Sequence, residues 1–204
     1  MGTIMFSKSI KFNAALAALV LAPSLAFAHP GAGQAVGFAH GFSHPMSGLD
    51  HILAMIMVGV VAWQLGGRAV WMVPATFVAV MGLGGAIGMM GISIPFVEAG
   101  IALSVIVLGA VIALNVRAPV AVAAGLVGLF AIFHGHAHGS EMPAAAAGMS
   151  YAAGFMIATA TLHAIGLAMG FAIARAGDAK GAFVTRFAGG FAALAGIGLL
   201  TGLI

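Results

Sequence analysis

Two histidines and an aspartate lie together just ahead of a long apolar stretch. The segment HPMSGLDH, from His44 to His51, has the pattern H-x5-D-H and includes Asp50, and an apolar run from Ile52 to Trp63 follows it. A carboxylate and two imidazoles are costly to place at the edge of a membrane-spanning segment, so they indicate a functional site. Imidazole nitrogen and carboxylate oxygen without sulfur suit Ni²⁺, Co²⁺, Zn²⁺ or Fe²⁺ better than Cu(I). The alternative is structural, with the aspartate capping a helix and the histidines bonded to the backbone.

The local spacing indicates how these three side chains are held. If a helix begins near Ser47, Asp50 and His51 fall in its first turn, about 100° apart around the axis. The helix N-terminus favours a carboxylate there. His44 precedes Pro45, so we predict an extended backbone at His44 that folds back over the helix start. Three ligands from a turn and a helix start can then converge on one ion.

A second histidine-rich stretch, HGHAHGSE, extends from His134 to Glu141. If the preceding helix continues through it, His134, His138 and Glu141 lie at i, i+4 and i+7 on one face. His136 then points the other way. The spacing of the first three resembles that of metal ligands. The alternative is a solvated histidine-rich loop that captures metal loosely or not at all.

Two further ionisable residues lie near or within apolar runs. Glu98 is near the start of the third run, and His163 lies in the fifth run, shortly after Thr159 and Thr161. Both are candidate pathway ligands. The alternatives are a helix cap for Glu98 and a hydrogen bond to a neighbouring helix for His163. The 13 methionines form no M-x-x-M series, so we interpret them as packing residues.

The composition excludes an ordinary soluble domain. Hydrophobic residues make up 63% of the 204 residues, and charged residues only 5%, against about 25% in soluble proteins. Most of the surface must therefore face lipid, which predicts an integral membrane protein. The seven Lys and Arg residues form no basic cluster, so we do not expect nucleic-acid binding. With no cysteine, a metal site must use His, Asp, Glu, Met or backbone oxygen.

The chain divides into a leader and a membrane domain. Residues 1–28 have a positive start, a short apolar core and a small-x-small ending at Ala28, which predicts a cleavable secretory signal peptide. The alternative is an uncleaved membrane helix. Cleavage leaves His29 at the new N-terminus, and residues 29–47 lack a helical apolar period, so we predict a periplasmic lead-in segment. The rest of 29–204 predicts an all-α bundle of about six transmembrane helices, over residues 49–65, 70–91, 95–115, 119–134, 145–173 and 183–203.

The positive charges predict the orientation of this bundle. With the mature N-terminus outside, the connections 65–69, 116–118 and 174–182 lie inside. All the positive residues of the mature chain are in or beside these connections: Arg68, Arg117, Arg175, Lys180 and Arg186. This distribution agrees with the positive-inside rule. It predicts a multi-pass protein of a bacterial inner membrane, with both histidine motifs on the periplasmic side.

In combination, these motifs resemble the HupE/UreJ family of hydrogenase and urease accessory membrane proteins. The resemblance rests on residues 44–51, on FHGHAHGSEMP at 133–143, on YAAGF at 151–155 and on ATATLH at 158–163. It covers nearly the whole mature chain in order. It implies uptake of nickel, and in some members cobalt, across the inner membrane to supply nickel enzymes.

The residues and the resemblance together predict a secondary or passive permease for Ni²⁺ or Co²⁺, because no nucleotide-binding G-x-x-x-x-G-K-[ST] is present. The metal is the transported substrate, and we expect no permanently bound cofactor and no enzymatic activity. The predicted ligands of the transported ion are His44, Asp50, His51, His134, His138 and Glu141. The possible pathway residues are Glu98, His163, His136 and His29. The alternatives are an intramembrane metal-dependent enzyme, although no H-x-x-H-H pair occurs, and a membrane metal sensor or metallochaperone.

Overall fold

The described part of the protein, in this computed structural model, comprises residues 32–143, 146–175 and 177–204. All its regular structure is helical, which confirms the all-α prediction. The helices are α1 (Ala32–Ser43), α2 (Leu49–Leu65), α3 (Ala69–Met89), α4 (Val97–Ala113), α5 (Val120–Ser140), α6 (Gly148–Ala174) and α7 (Asp178–Thr201). Each of α2 to α7 overlaps one of the six predicted apolar runs, in the same order. The predicted signal peptide and His29 lie outside the described residues.

The segment before the first apolar run differs from its prediction. Residues 32–43, predicted to lack a helix, form α1, and His44–Met46 form a 3₁₀ turn in place of an extended backbone. Packing on α6 holds α1 in place: a Cβ at Gly41 would overlap the Tyr151 backbone carbonyl. Contact with α6 therefore stabilises the α1 helix, although the α1 sequence has no apolar period. The extended Gly48 separates the turn from α2, and the two helical segments meet at 79°.

Several helices have the dimensions of membrane spans. The α3, α5 and α6 helices, and α7 from Lys180, are long and apolar enough to cross a bilayer, and the bent pair of α1 and α2 would make a fifth if it forms one broken span. The α4 helix has 17 residues, which is about 26 Å at 1.5 Å per residue, slightly less than a hydrocarbon core of about 30 Å. Many large apolar side chains on these helices are exposed, as lipid contact requires.

Glycines bring the helices together in pairs. Gly84 and Gly88 of α3 face the backbone of α5, and Gly135 and Gly139 of α5 face the backbone of α3. Reciprocal glycine contacts also join α2 to α6 and α4 to α7. Gly84 and Gly88 form a G-x-x-x-G pattern, which therefore serves close helix packing here.

The α2 helix occupies the centre of the bundle. It contacts each of α3 to α7, and Ala54, Met55 and Val58 on it are fully buried. Asp50 lies in its first turn, as predicted. Its other end, at Leu65, lies beside Arg117 and Arg186. We call these two ends of the bundle the histidine end and the arginine end.

Candidate metal centre

The two histidine motifs meet at the histidine end and form one row of rings. The ring centroids of His44 and His138 are 5.0 Å apart, those of His138 and His51 are 4.7 Å apart, and those of His51 and His134 are 4.8 Å apart. Because α5 continues to Ser140, as predicted, His134 and His138 lie one turn apart on the face toward α2. Motifs more than 80 residues apart in the chain therefore form a single cluster, which we call the imidazole row.

Each carboxylate of the two motifs is paired with one imidazole. Asp50 Oδ1 lies 2.9 Å from His51 Nδ1 and accepts a second hydrogen bond, of 2.7 Å, from the His51 backbone N–H. Glu141 Oε2 lies 2.9 Å from His44 Nε2, across the two motifs. A carboxylate accepts, so His51 Nδ1 donates and Nε2 carries the lone pair in the neutral ring. A carboxylate behind an imidazole is the usual second partner of a metal-binding histidine.

Ser104 fixes the orientation of the His134 ring. Its hydroxyl donates to the Ile101 carbonyl at 2.6 Å and lies 2.9 Å from His134 Nε2. Since the hydroxyl proton is already used, His134 Nε2–H must donate to Ser104, which leaves the lone pair on Nδ1. Ser104 belongs to neither histidine motif, so the motifs do not predict its role. The available signal was a lone hydroxyl in the apolar run VEAGIALSVIVLGAVIA, two turns after Glu98.

Several polar atoms of the row are buried without a partner among the described residues. They are His51 Nε2, His134 Nδ1 and both ring nitrogens of His138, and the Tyr151 hydroxyl close by shares this state. The His138 ring stacks on Phe155, with centroids 5.2 Å apart. An unsatisfied buried polar group costs about 1–3 kcal/mol. A cation that binds lone-pair nitrogens would offset this cost.

The row does not form a closed metal site. Within the described ranges, no three His, Asp or Glu side chains are spaced to hold one ion together. Asp50 faces His51, and His44 faces Glu141, so the three residues of the first motif do not surround one point. The donor chemistry nevertheless fits a divalent metal, because neutral imidazole with carboxylate behind it suits Ni²⁺, Co²⁺ and Zn²⁺.

The remaining candidates lie outside the row. His136 Nε2 is 2.7 Å from the Ile92 carbonyl, on another side of α5, as the spacing predicted. Glu98 is exposed in the first turn of α4 and makes no hydrogen bond or ion pair to any described residue. His163 is buried, and the fully buried Phe77 lies between it and the row, with its ring 5.1 Å from His163 and 5.6 Å from His134.

Ser104→Ala is expected to lower the affinity for Ni²⁺ by about tenfold, because loss of a partner that orients a ligand typically costs 10–100-fold. His134 Nε2 then loses its acceptor, and the proton can move to Nδ1. Ser104→Thr keeps the hydroxyl and should restore both affinity and tautomer. Titration of the purified protein with Ni²⁺ and ¹⁵N NMR of the His134 ring measure the two effects. Ser140→Ala is the matched control, because its hydroxyl bonds only to the Ala137 carbonyl. An unchanged tautomer in Ser104→Ala would contradict this role.

Comparison with known proteins agrees with these features. The chain matches the family described as HupE / UreJ protein over residues 17–199. It is similar to "Protein HupE" of Rhizobium leguminosarum bv. viciae, with 51% identity over 195 residues that cover 96% of this chain and 100% of that protein. No solved structure matches. The matched region contains both histidine motifs and the described helices α1 to α6, together with α7 as far as Leu199. The chain belongs to the HupE/UreJ family.

Proposed function

We propose that this protein is a permease that carries Ni²⁺, and Co²⁺ as a second substrate, from the periplasm to the cytoplasm. The observation that carries the proposal is the row of buried imidazoles with unpartnered nitrogens at one end of an apolar bundle. Buried polar groups are almost always satisfied. Buried ionisable residues in membrane helices typically mark ion pathways. Membership of the family supports nickel as the substrate.

The cluster can exchange the water shell of an ion in steps. His44 and Glu141 are partly exposed, with side-chain exposures of 28% and 54%, so they form the mouth. The His51 side chain is less exposed, at 12%, and His138 and His134 are fully buried. At each histidine, a lone-pair nitrogen can replace a water molecule that the ion loses. Ligands arranged in a row suit transfer between neighbours, because an ion shared by adjacent rings can be passed on.

The onward path requires a movement. Phe77 separates His134 from His163, so an ion leaving the row reaches His163 only when this ring turns aside. His163 presents two buried nitrogens without partners among the described residues. We therefore place His163 as the next ligand and Phe77 as the barrier between them. Glu98, His136 and His29 remain sequence-based predictions and are not needed for this path.

The energetics allow passive uptake. We place the histidine end outside and the arginine end inside, because the Lys and Arg residues of the helical domain lie in or beside the connections expected inside. An inside-negative potential then favours a divalent cation by about 4.6 kcal/mol per 100 mV. Capture by nickel enzymes inside, such as hydrogenase or urease, would keep the free ion low. In this proposal α2 to α7 all cross the inner membrane, and the metal is cargo with no resident cofactor.

The proposal is tested by flux into proteoliposomes loaded with a chelator. Uptake of ⁶³Ni should be saturable and should rise when a potassium gradient with valinomycin makes the interior negative. Asp50→Ala should reduce uptake at low nickel by about 10–100-fold, the usual effect of removing the carboxylate behind a ligand. Uptake by Asp50→Asn should lie between that of the wild type and that of Asp50→Ala, because the asparagine side-chain oxygen can still accept a hydrogen bond from His51. Uptake of ⁵⁷Co measured in parallel ranks the two metals.

Three results would decide against transport of this kind. Tight nickel binding without flux would identify a sensor or metallochaperone. Turnover of a substrate without flux would identify an enzyme. Flux that is unchanged in Asp50→Ala and in His44→Ala would show that the ion does not use the imidazole row.

A further inference from the structure

A cavity of about 450 Å³ lies at the arginine end, far from the imidazole row. Its walls are the ends of α2, α4 and α6 and the start of α7. Gln64, on its wall, and Asp50 lie at opposite ends of α2, about 21 Å apart at 1.5 Å per residue. Its polar lining is Gln64, Asn115, Arg117, Thr185 and Arg186. We call it the arginine cavity.

The arginine cavity carries positive charge without a described counter-charge. Arg117 Nη1 donates to the Gln64 backbone carbonyl, and a guanidinium has four further N–H donors. Arg186 forms no hydrogen bond or ion pair with any residue that the structure describes, and no Asp or Glu is among the described residues that line the cavity. Two guanidinium groups facing one space favour an anion, and they recognise phosphate and carboxylate oxygens in particular.

Gln64 adds a second requirement. Its side chain is only 7% exposed, and its Nε2 donates to the Val116 carbonyl at 3.1 Å. Its Oε1 is buried and has no partner in the described part of the chain. A buried acceptor favours a donor. The preferred occupant therefore combines an anionic group with an N–H or O–H.

An apolar surface adjoins the arginine cavity on its lipid side. Arg186 also lines a second, smaller cavity with Phe183 and Phe187. These two rings are 70% and 67% exposed, and they stack with centroids 6.2 Å apart. Arg186 therefore stands between a polar space and an aromatic surface suited to an acyl chain.

We infer that the arginine cavity binds the phosphate of a membrane phospholipid whose headgroup carries a hydroxyl or ammonium donor. The phosphate lies between Arg117 and Arg186, the headgroup donor bonds Gln64 Oε1, and an acyl chain lies on Phe183 and Phe187. Basic pockets between membrane helices bind lipid headgroups by this chemistry. The site stands independently of transport. Its consequence rests on the proposed function: the single negative charge of the bound phosphate offsets part of the positive charge of two arginines that would repel a departing Ni²⁺.

Native mass spectrometry of the purified protein with added lipids tests the site. Phosphatidylglycerol, an anion with hydroxyl donors, should be retained best. Phosphatidylethanolamine, with an ammonium donor, should be retained better than phosphatidylcholine, which has no donor. Arg186→Gln should lower retention of phosphatidylglycerol by about tenfold or more, since it removes charged hydrogen bonds. It should fold normally, because Arg186 has no described partner to lose. Arg68→Gln, a change outside the cavity lining at the start of α3, is the matched control.

Three outcomes would overturn the inference: unchanged retention in Arg186→Gln, an equal loss in Arg68→Gln, or a thermal stabilisation by inorganic phosphate as large as that by phosphatidylglycerol. The last would assign the cavity to a soluble anion. Nickel affinity, measured on the same samples, should be unchanged in Arg186→Gln. A failure of lipid binding therefore leaves the metal pathway untouched, and a failure of nickel flux leaves the lipid site untouched.

Discussion

Replacing His51 with alanine is expected to abolish high-affinity Ni²⁺ binding. His51 is the centre of the imidazole row, with its ring 4.7 Å from His138 and 4.8 Å from His134. Its Nε2 is buried and unpartnered among the described residues, while its Nδ1 is held by Asp50. Removing a ligand should cost more than removing a partner behind it, so we expect affinity to fall by at least about 100-fold. Isothermal titration of detergent-purified protein with Ni²⁺ measures the loss.

His136→Ala is the control for this experiment. His136 is also a buried histidine, on the same helix as His134 and His138, but its Nε2 faces the Ile92 carbonyl. The nickel affinity of His136→Ala should therefore stay within about threefold of the wild-type value, a free-energy difference below about 1 kcal/mol. Equal losses in His51→Ala and His136→Ala would mean that the row is not the binding site. The thermal stability of both variants is measured alongside, so that a loss of affinity caused by unfolding is recognised.

Gly135→Val is expected to disrupt the bundle itself. A Cβ at this position would overlap the Met81 carbonyl of α3, and a Cβ at Gly139 would overlap the Gly85 carbonyl. Backbone cannot move aside as a flexible side chain can, so α5 would have to separate from α3. Overpacking commonly costs about 1–3 kcal/mol, and we expect the upper end or more here. Thermal unfolding in detergent, with size-exclusion profiles, measures the effect.

The same helix supplies the control for this variant. A Cβ at Gly125 of α5 would meet no described atom within 4 Å. Gly125→Ala should therefore leave stability unchanged or raise it slightly, because alanine is the better helix former by about 1 kcal/mol. If Gly135→Val unfolds no more easily than Gly125→Ala, the close approach of α3 and α5 is wrong.

Much of the fold follows from the sequence because it depends on local composition. Runs of apolar residues near the length of a bilayer core predict helices wherever they occur, and α2 to α7 lie where those runs are. The continuation of α5 through the histidines was predictable in the same way, because spacing along one helix determines which side chains share a face. The α1 helix was missed because its sequence lacks an apolar period, and it is held by contact with α6.

The sequence alone predicts the class of protein and the residue types of the candidate site: a helical bundle that faces lipid, with imidazole and carboxylate groups at one end and positive charge near the other. How these side chains pair depends on which helices meet, and the sequence does not show this. His44 faces Glu141 and not Asp50. His134 forms a hydrogen bond with Ser104, a residue that the motifs do not contain. The physical reason is that spacing fixes angles within one helix but not which helices meet. Here glycine contacts join α3 to α5, α2 to α6 and α4 to α7, and further packing between these pairs brings α2, α4 and α5 together around the imidazole row.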